Sequence, residues 1–129
     1  MQTSFRPVTN EPALDRLLSR SHEGPVLLFV HADRCGISWR AYEEVAQLGG
    51  EIALANVRVH PHLSRLIESR TGVRHESPQV LLLRQGQAVW SASHWAITAP
   101  AVAQAVREHT SAAAISPRSL GGRGARKEG

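Results

Sequence analysis

Cys35 is the only cysteine among 129 residues, and it stands where a thiol can act. It follows the apolar run Val26-Leu27-Leu28-Phe29-Val30 by a few residues. It precedes a segment in which Ala41, Val45 and Leu48 fall on one helical stripe, so it opens a helix. Unpaired backbone N–H groups and the helix dipole at such a start favour an anion, and a thiolate is one. Arg34 adds a neighbouring positive charge, Gly36 leaves the backbone accessible, and Ser38 can turn a hydroxyl toward the sulfur. The thiolate is the nucleophile in disulfide exchange. Cys35 is therefore the candidate nucleophile, with Arg34, Gly36 and Ser38 as the groups that tune it. The alternative is a buried, inert cysteine, since free cysteines are among the most buried residues. His31, Asp33, Arg34 and Gly36 suit a solvated turn rather than a core and argue against it.

The elements that must hold this thiol alternate in period. Ser4 to Val8 reads as a short edge strand. Glu11 to Arg20 reads as a helix with Leu14, Leu17 and Leu18 on one face, capped by Thr9 or Asn10 and ended by Gly24-Pro25. Val26 to Val30 has the continuous apolar pattern of a strand buried on both faces. The helix from Cys35 to Leu48 stops at Gly49-Gly50, and Ile52 to Val59 reads as the next strand. Pro61 suits a first helical turn, and Leu63, Leu66 and Ile67 continue that helix to Gly72. Val80 to Leu83, a tight turn at Gln85-Gly86 and Ala88 to Trp90 read as a hairpin. Ala99 to His109 is a final helix. The order β-α-β-α-β-α-β-β-α requires parallel strands in its first part and antiparallel strands at the closing hairpin. It predicts an α/β thioredoxin-like fold, a mixed central sheet flanked by helices, over residues 1–110. Residues 111–129 are rich in Ser, Gly, Pro and Arg and are expected to form a basic, disordered tail.

Composition narrows the function classes. The formal charge is +4, but the tail alone contributes +3 through Arg118, Arg123, Arg126 and Lys127 against Glu128. A body so close to neutral shows no basic face in its totals, which argues against nucleic-acid binding. No apolar run approaches the eighteen or so residues of a membrane helix, and Met1 to Pro7 has no apolar run of the kind a secretory signal needs. A single cysteine excludes an internal disulfide and suits a reducing compartment. The expectation is a cytoplasmic protein that works away from membranes.

Seven histidines raise the question of a metal. His60 and His62 flank Pro61, and His31 could lie near them. Metal sites usually need three or four ligands, so these read as solvated histidines at strand ends, and no metal site is predicted. His75, before Glu76, is either close to the active face or a loop histidine. Trp39 and Tyr42 read as packing residues on the helix after the thiol.

Cys35-Gly36-Ile37-Ser38 resembles a thioredoxin Cys-x-x-Cys motif with serine in place of the second cysteine. His75-Glu76-Ser77-Pro78-Gln79 falls where thioredoxin-like proteins keep the cis proline that faces the active cysteine. The stretches Arg34 to Ser38, Val73 to Leu83 and Ala92 to His94 together resemble the monothiol bacilliredoxins, redox proteins of the bacillithiol system. The likeness covers roughly Pro25 to Ile97 and leaves out the basic tail. It implies that Pro78 is cis and that Ser77 and Pro78 position an extended substrate beside the thiol; the residues alone would favour a trans proline opening a strand, because cis is the minority state. In glutaredoxin-like folds the region equivalent to Ser93-His94-Trp95 contacts the carboxylates of a small thiol, so the likeness makes Ser93 and His94 candidate substrate-binding residues, with His75 added if it sits close to the active face; Trp95 would otherwise be a plain packing or surface aromatic.

Without a second cysteine, Cys35 can take a small thiol from a mixed disulfide but needs an external thiol to release it. The resemblance names that thiol as bacillithiol. It implies a monothiol thiol-disulfide oxidoreductase that removes bacillithiol from S-bacillithiolated proteins, with bacillithiol as co-substrate and no tightly bound cofactor. The alternatives are a thiol reservoir or sensor that is itself modified by bacillithiol, and a non-catalytic thioredoxin-fold adaptor.

Overall fold

The computed structural model describes residues 2–115, with side chains described through residue 110. Five strands and four helices alternate along it: β1 (Thr3–Pro7), α1 (Glu11–Arg20), β2 (Val26–His31), α2 (Gly36–Val45), β3 (Gly50–Asn56), α3 (His62–Thr71), β4 (Gln79–Arg84), β5 (Gln87–Ser93) and α4 (Ala99–Ile115), with a short 3₁₀ turn at His94–Ala96 after β5. The strands form one sheet in the order β1-β3-β2-β4-β5. β3 pairs in parallel with both β1 and β2, while β4 is antiparallel to β2 and to β5. This is the mixed sheet that the order of elements predicts.

The buried side chains divide between the two faces. Leu28 and Val30 of β2 join Leu14 and Leu17 of α1 and Leu63 and Ile67 of α3 in one cluster. Phe29, between them in sequence, points the other way to Ala41 and Val45 of α2 and Val102 of α4. Alternation along a strand thus lets one apolar run serve both layers. Phe29 is fully buried, and its truncation to alanine would cost about 3–5 kcal/mol.

Several boundaries depart from the sequence reading. β3 ends at Asn56, and Val59, expected inside it, is 49% exposed. α2 ends at Val45 rather than Leu48. α4 continues past His109 to Ile115, through Ser111 and the strong helix formers Ala112, Ala113 and Ala114. The tail expected at 111–129 otherwise lies outside the described residues. The turn at Gln85-Gly86 has positive φ at both residues, 57° and 75°, the type I′ geometry that matches strand twist in a two-residue hairpin. None of the described helices is long and apolar enough to cross a membrane.

Candidate functional site

β2 carries the chain to the thiol, and the loop after it is fixed at several points. Val57 N–H donates to the carbonyl of His31 at 2.9 Å. The Asp33 carboxylate accepts from Asn56 Nδ2 at 2.9 Å and from the Arg58 guanidinium, with one contact at 3.1 Å, so the loop is tied to the segment after β3. The hydrogen bonds from Arg58, then Asn56, hold the Asp33 carboxyl well below the usual carboxylate range. Trp39 Nε1 donates to the Asp33 carbonyl at 2.8 Å, and Cys35 N–H to the Ala32 carbonyl at 3.0 Å.

Cys35 is the N-cap residue of α2, with extended backbone (φ −113°, ψ 125°). It is partly exposed, which sets it apart from a cysteine sealed in a core. Arg34 and Gly36 on either side are exposed. A Cβ added at Gly36 would meet nothing within 4 Å, so the site is open there.

Ser38 is fully buried. Its hydroxyl accepts from Ala32 N–H at 2.9 Å and lies 2.7 Å from His31 Nδ1. Among the described residues those two groups are its hydrogen-bond partners. His31 itself is only 3% exposed. This corrects the expectation of a solvated histidine at a strand end. His31 follows Phe29 at the two-residue period of β2, so it points to the α2 face and is roofed by that helix. Its ring lies among Phe29, Trp39 and Tyr42, with centroids 5.3, 4.6 and 5.6 Å away. Burial lowers its pKa from the usual histidine value, although the nearby Asp33 charge pulls the other way. Trp39 packs on His31 and Tyr42 as expected, yet is 45% exposed.

The loop before β4 meets this end of the sheet. β2 and β4 are antiparallel with Val30 opposite Gln79, so one further step of the register sets Pro78 opposite His31. The Ser77–Pro78 peptide bond is cis, as the resemblance implied. Pro78 is buried and Ser77 partly exposed. Buried Gln79 staples the loop: its Nε2 donates to the Arg74 carbonyl at 3.1 Å and its Oε1 accepts from Glu76 N–H at 3.4 Å.

The end of β5 closes on the same place. Ser93 pairs with Gln79 across the ladder, and His94 N–H donates to the Pro78 carbonyl at 3.0 Å. His94 adopts φ 54°, a left-handed backbone uncommon for a residue with a side chain. Its Nδ1 lies 3.9 Å from Glu76 Oε1. Arg40 of α2 reaches the His94 carbonyl at 3.4 Å and lies over the Trp95 ring, 5.0 Å from its centroid. Ser77, Pro78, Ser93 and His94 therefore converge at the end of the sheet from which Cys35 emerges. His75 is tied to α3 instead, its N–H donating to Glu68 Oε1 at 3.1 Å.

Sequence reading missed His31, Gln79 and Arg40 as parts of this site. The period of β2 could have found His31. Nothing in the sequence links Arg40 to His94. His60 and His62 have ring centroids 6.2 Å apart, and no group of three or more potential metal ligands occurs among the described residues. A cavity of about 470 Å³ is lined by Val26, Gly50, Glu51 and Leu82 at the opposite end of the sheet; it is not part of the thiol site.

Comparison with known proteins agrees with this geometry. The family model "Monothiol bacilliredoxin BrxC" matches residues 6–102. Among solved structures, the chain resembles a candidate oxidoreductase with a thioredoxin fold at 26% identity and TM-score 0.69, over 78% of this chain and 92% of that one. It resembles a thioredoxin from Halobacterium salinarum at 22% identity and TM-score 0.63, over 83% and 91% of the two chains. A poplar thioredoxin h mutant gives 18% identity and TM-score 0.65, over 83% of each chain. The last two likenesses show the thioredoxin fold.

Proposed function

We propose, from the premise that this chain belongs to the monothiol bacilliredoxin family, that it removes bacillithiol from protein cysteines by thiol-disulfide exchange at Cys35. Membership of that family and the oxidoreductase likeness support a thiol redox role. The observation that carries the finer reading is a partly exposed Cys35 capping α2 with serine, not cysteine, at position 38.

The Cys35 thiolate attacks the bacillithiol sulfur of the mixed disulfide. A new S–S bond joins Cys35 to bacillithiol, the old S–S bond breaks, and the target cysteine leaves as a thiolate that takes a proton from water. There is no net oxidation in this step. Ser38 cannot attack the new disulfide, so the chain stays loaded until free bacillithiol attacks the bound bacillithiol sulfur. That second exchange releases bacillithiol disulfide and restores the Cys35 thiol. Arg34 and the N-terminal N–H groups of α2 support the thiolate. Ser77 and Pro78 offer backbone to the target, while Ser93 and His94 offer donors to the carboxylates of bacillithiol. The setting is expected to be cytoplasmic.

The experiment is to load Cys35 with bacillithiol and add free bacillithiol with its disulfide reductase. Recovery of the free Cys35 thiol and repeated turnover support the reading. A loaded chain that no bacillithiol concentration unloads would make it a sensor or reservoir instead.

A further inference from the structure

We propose that the cavity at the opposite end of the sheet from Cys35 binds a small amphipathic anion, a carboxylate with an apolar body, whose head meets Arg107. The inference is independent of the exchange reaction at Cys35.

The helices leave the start of β2 uncovered. The apolar run Val26 to Val30 predicts burial on both faces, yet Val26 and Leu27 are only half-buried, while Leu28, Phe29 and Val30 are sealed. Val26 packs toward the layer of α1 and α3, and Leu27 toward the layer of α2 and α4. The cavity reaches both layers, touching Leu17 of α1 on one side and Ala103 and Val106 of α4 on the other. Half-buried Leu48 and buried Leu82, which pairs with Leu27 across the ladder, also line it. Its volume of about 470 Å³ falls within the roughly 300–1,000 Å³ of small-molecule sites. Apolar surface in a concave wall is stabilised by leaving water, so the body of the ligand is apolar.

The charged part of the lining sets the other end of the ligand. Arg6, Arg20 and Arg107 line the cavity with one carboxylate, Glu51. All four are exposed, so they stand at the mouth and the apolar residues form the floor. Arg6 Nη1 and Arg20 Nη2 each donate to one Glu51 oxygen at 2.8 Å. Among the described residues Arg107 has no carboxylate partner. Three guanidiniums thus share one negative charge. Guanidinium matches carboxylate with paired N–H donors, which favours an anionic head. Gly49 N–H, a backbone donor in the lining, is already bonded to Thr3 Oγ1 at 2.8 Å. Residues 116–129 hold Arg118, Arg123, Arg126 and Lys127 against Glu128, the same sign as the mouth, which argues against the chain's own C-terminus as the occupant.

The test is a methyl NMR titration of the full chain at pH 7 with sodium octanoate, 1-octanol and acetate in turn. Octanoate should shift the methyl signals of Leu27, Leu48 and Val106 and reach saturation. Octanol has the same chain and no charge, and it should need about tenfold more, the size of a hydrogen bond to a charged group. Acetate has no chain and should leave these methyls in place. Arg107→Gln, an exposed change on a helix, should weaken octanoate about fivefold and leave octanol as in the parent. Octanol binding as tightly as octanoate, or an octanoate affinity unchanged in Arg107→Gln, would show an apolar cavity without an anion site and overturn the proposal. So would acetate shifting the same methyls as strongly, octanoate shifts confined to other residues, or no saturable shift at all. Contacts from the Leu27 or Val106 methyls to residues 116–129 in the ligand-free chain would give the cavity to the C-terminus and overturn it as well.

Discussion

The His94 N–H donates to the Pro78 carbonyl at 3.0 Å, and this bond joins the end of β5 to the loop that enters β4. Residues far apart in sequence thereby come to one end of the sheet: Ser77-Pro78, His94 and, at the start of α2, Cys35. The left-handed backbone of His94 turns the chain at that point and sets Trp95 under Arg40.

If His94 holds a carboxylate of bacillithiol, His94→Asn should weaken bacillithiol-dependent transfer about tenfold, the lower range for a hydrogen bond to a charged group. Asparagine tolerates the left-handed conformation, so the backbone is kept. The effect should fall on the concentration of bacillithiolated substrate needed for half-maximal rate. Iodoacetamide alkylation of the same variant should match the parent. Equal loss in both assays would mean that His94 shapes the thiol and not the small-thiol site.

The pairing of Asp33 with Arg58 makes a prediction about acid. Asp33 has its folded pKa lowered, chiefly by the Arg58 hydrogen bond. Its contribution to stability is therefore present above the ordinary carboxylate pKa and is lost as pH falls through the folded value. Arg58→Met should lower Tm by a few degrees at pH 7, a modest effect because the pair is partly exposed. The gap between variant and parent should narrow below about pH 4, where the unfolded carboxyl begins to protonate. A gap that widens in acid would contradict the assignment.

His31 should leave its own mark at milder pH. Its folded pKa is lowered, first by burial. The unfolded chain then binds the proton more readily, and stability falls as pH drops below the ordinary histidine value of about 6.5. Thermal unfolding between pH 7 and pH 5 should show a steeper loss for the parent than for His31→Phe. Parallel curves would mean that the buried ring accepts a proton freely.

Gly36→Ala should fold as well as the parent. Apart from its chain neighbours and the backbone of its own helix, an added Cβ meets nothing within 4 Å, and alanine in a helix favours stability by up to about 1 kcal/mol over glycine. Alkylation of Cys35 should stay within about twofold, because the backbone N–H groups of α2 remain. Exchange with a bulky protein disulfide should slow more than alkylation if Gly36 serves to let a target approach. A destabilised Gly36→Ala would show contacts that the open surface does not explain.

The thioredoxin architecture was legible because each element had a clean local signal. The run Val26 to Val30 is apolar throughout, Asn10 stands in place to cap α1 and does so, its side chain accepting from Ala13 N–H at 3.0 Å, and Gln85-Gly86 sits between two strand patterns. Cys35 was legible because strand and helix signals meet there. His31 was misread because polar Asp33 and Arg34 beside it suggest solvent. Its place on β2, two residues beyond Phe29, decides its burial instead. Arg40 and His94 are 54 residues apart, and only the folded sheet brings them together. The tail lacks periodic apolar residues, and sequence reading ended α4 at His109 because Ser, Gly, Pro and Arg dominate the residues after it.

The most direct measurement is the mass of the intact chain after mixing, in its reduced form, with an equimolar protein that carries bacillithiol on one cysteine. The account predicts that the target loses bacillithiol, that Cys35 gains it, and that the reaction stops at one bacillithiol per chain. Cys35→Ser should leave the target modified. Release of bacillithiol by Cys35→Ser at the parent's rate, or release by the parent with nothing attached to Cys35, would contradict it.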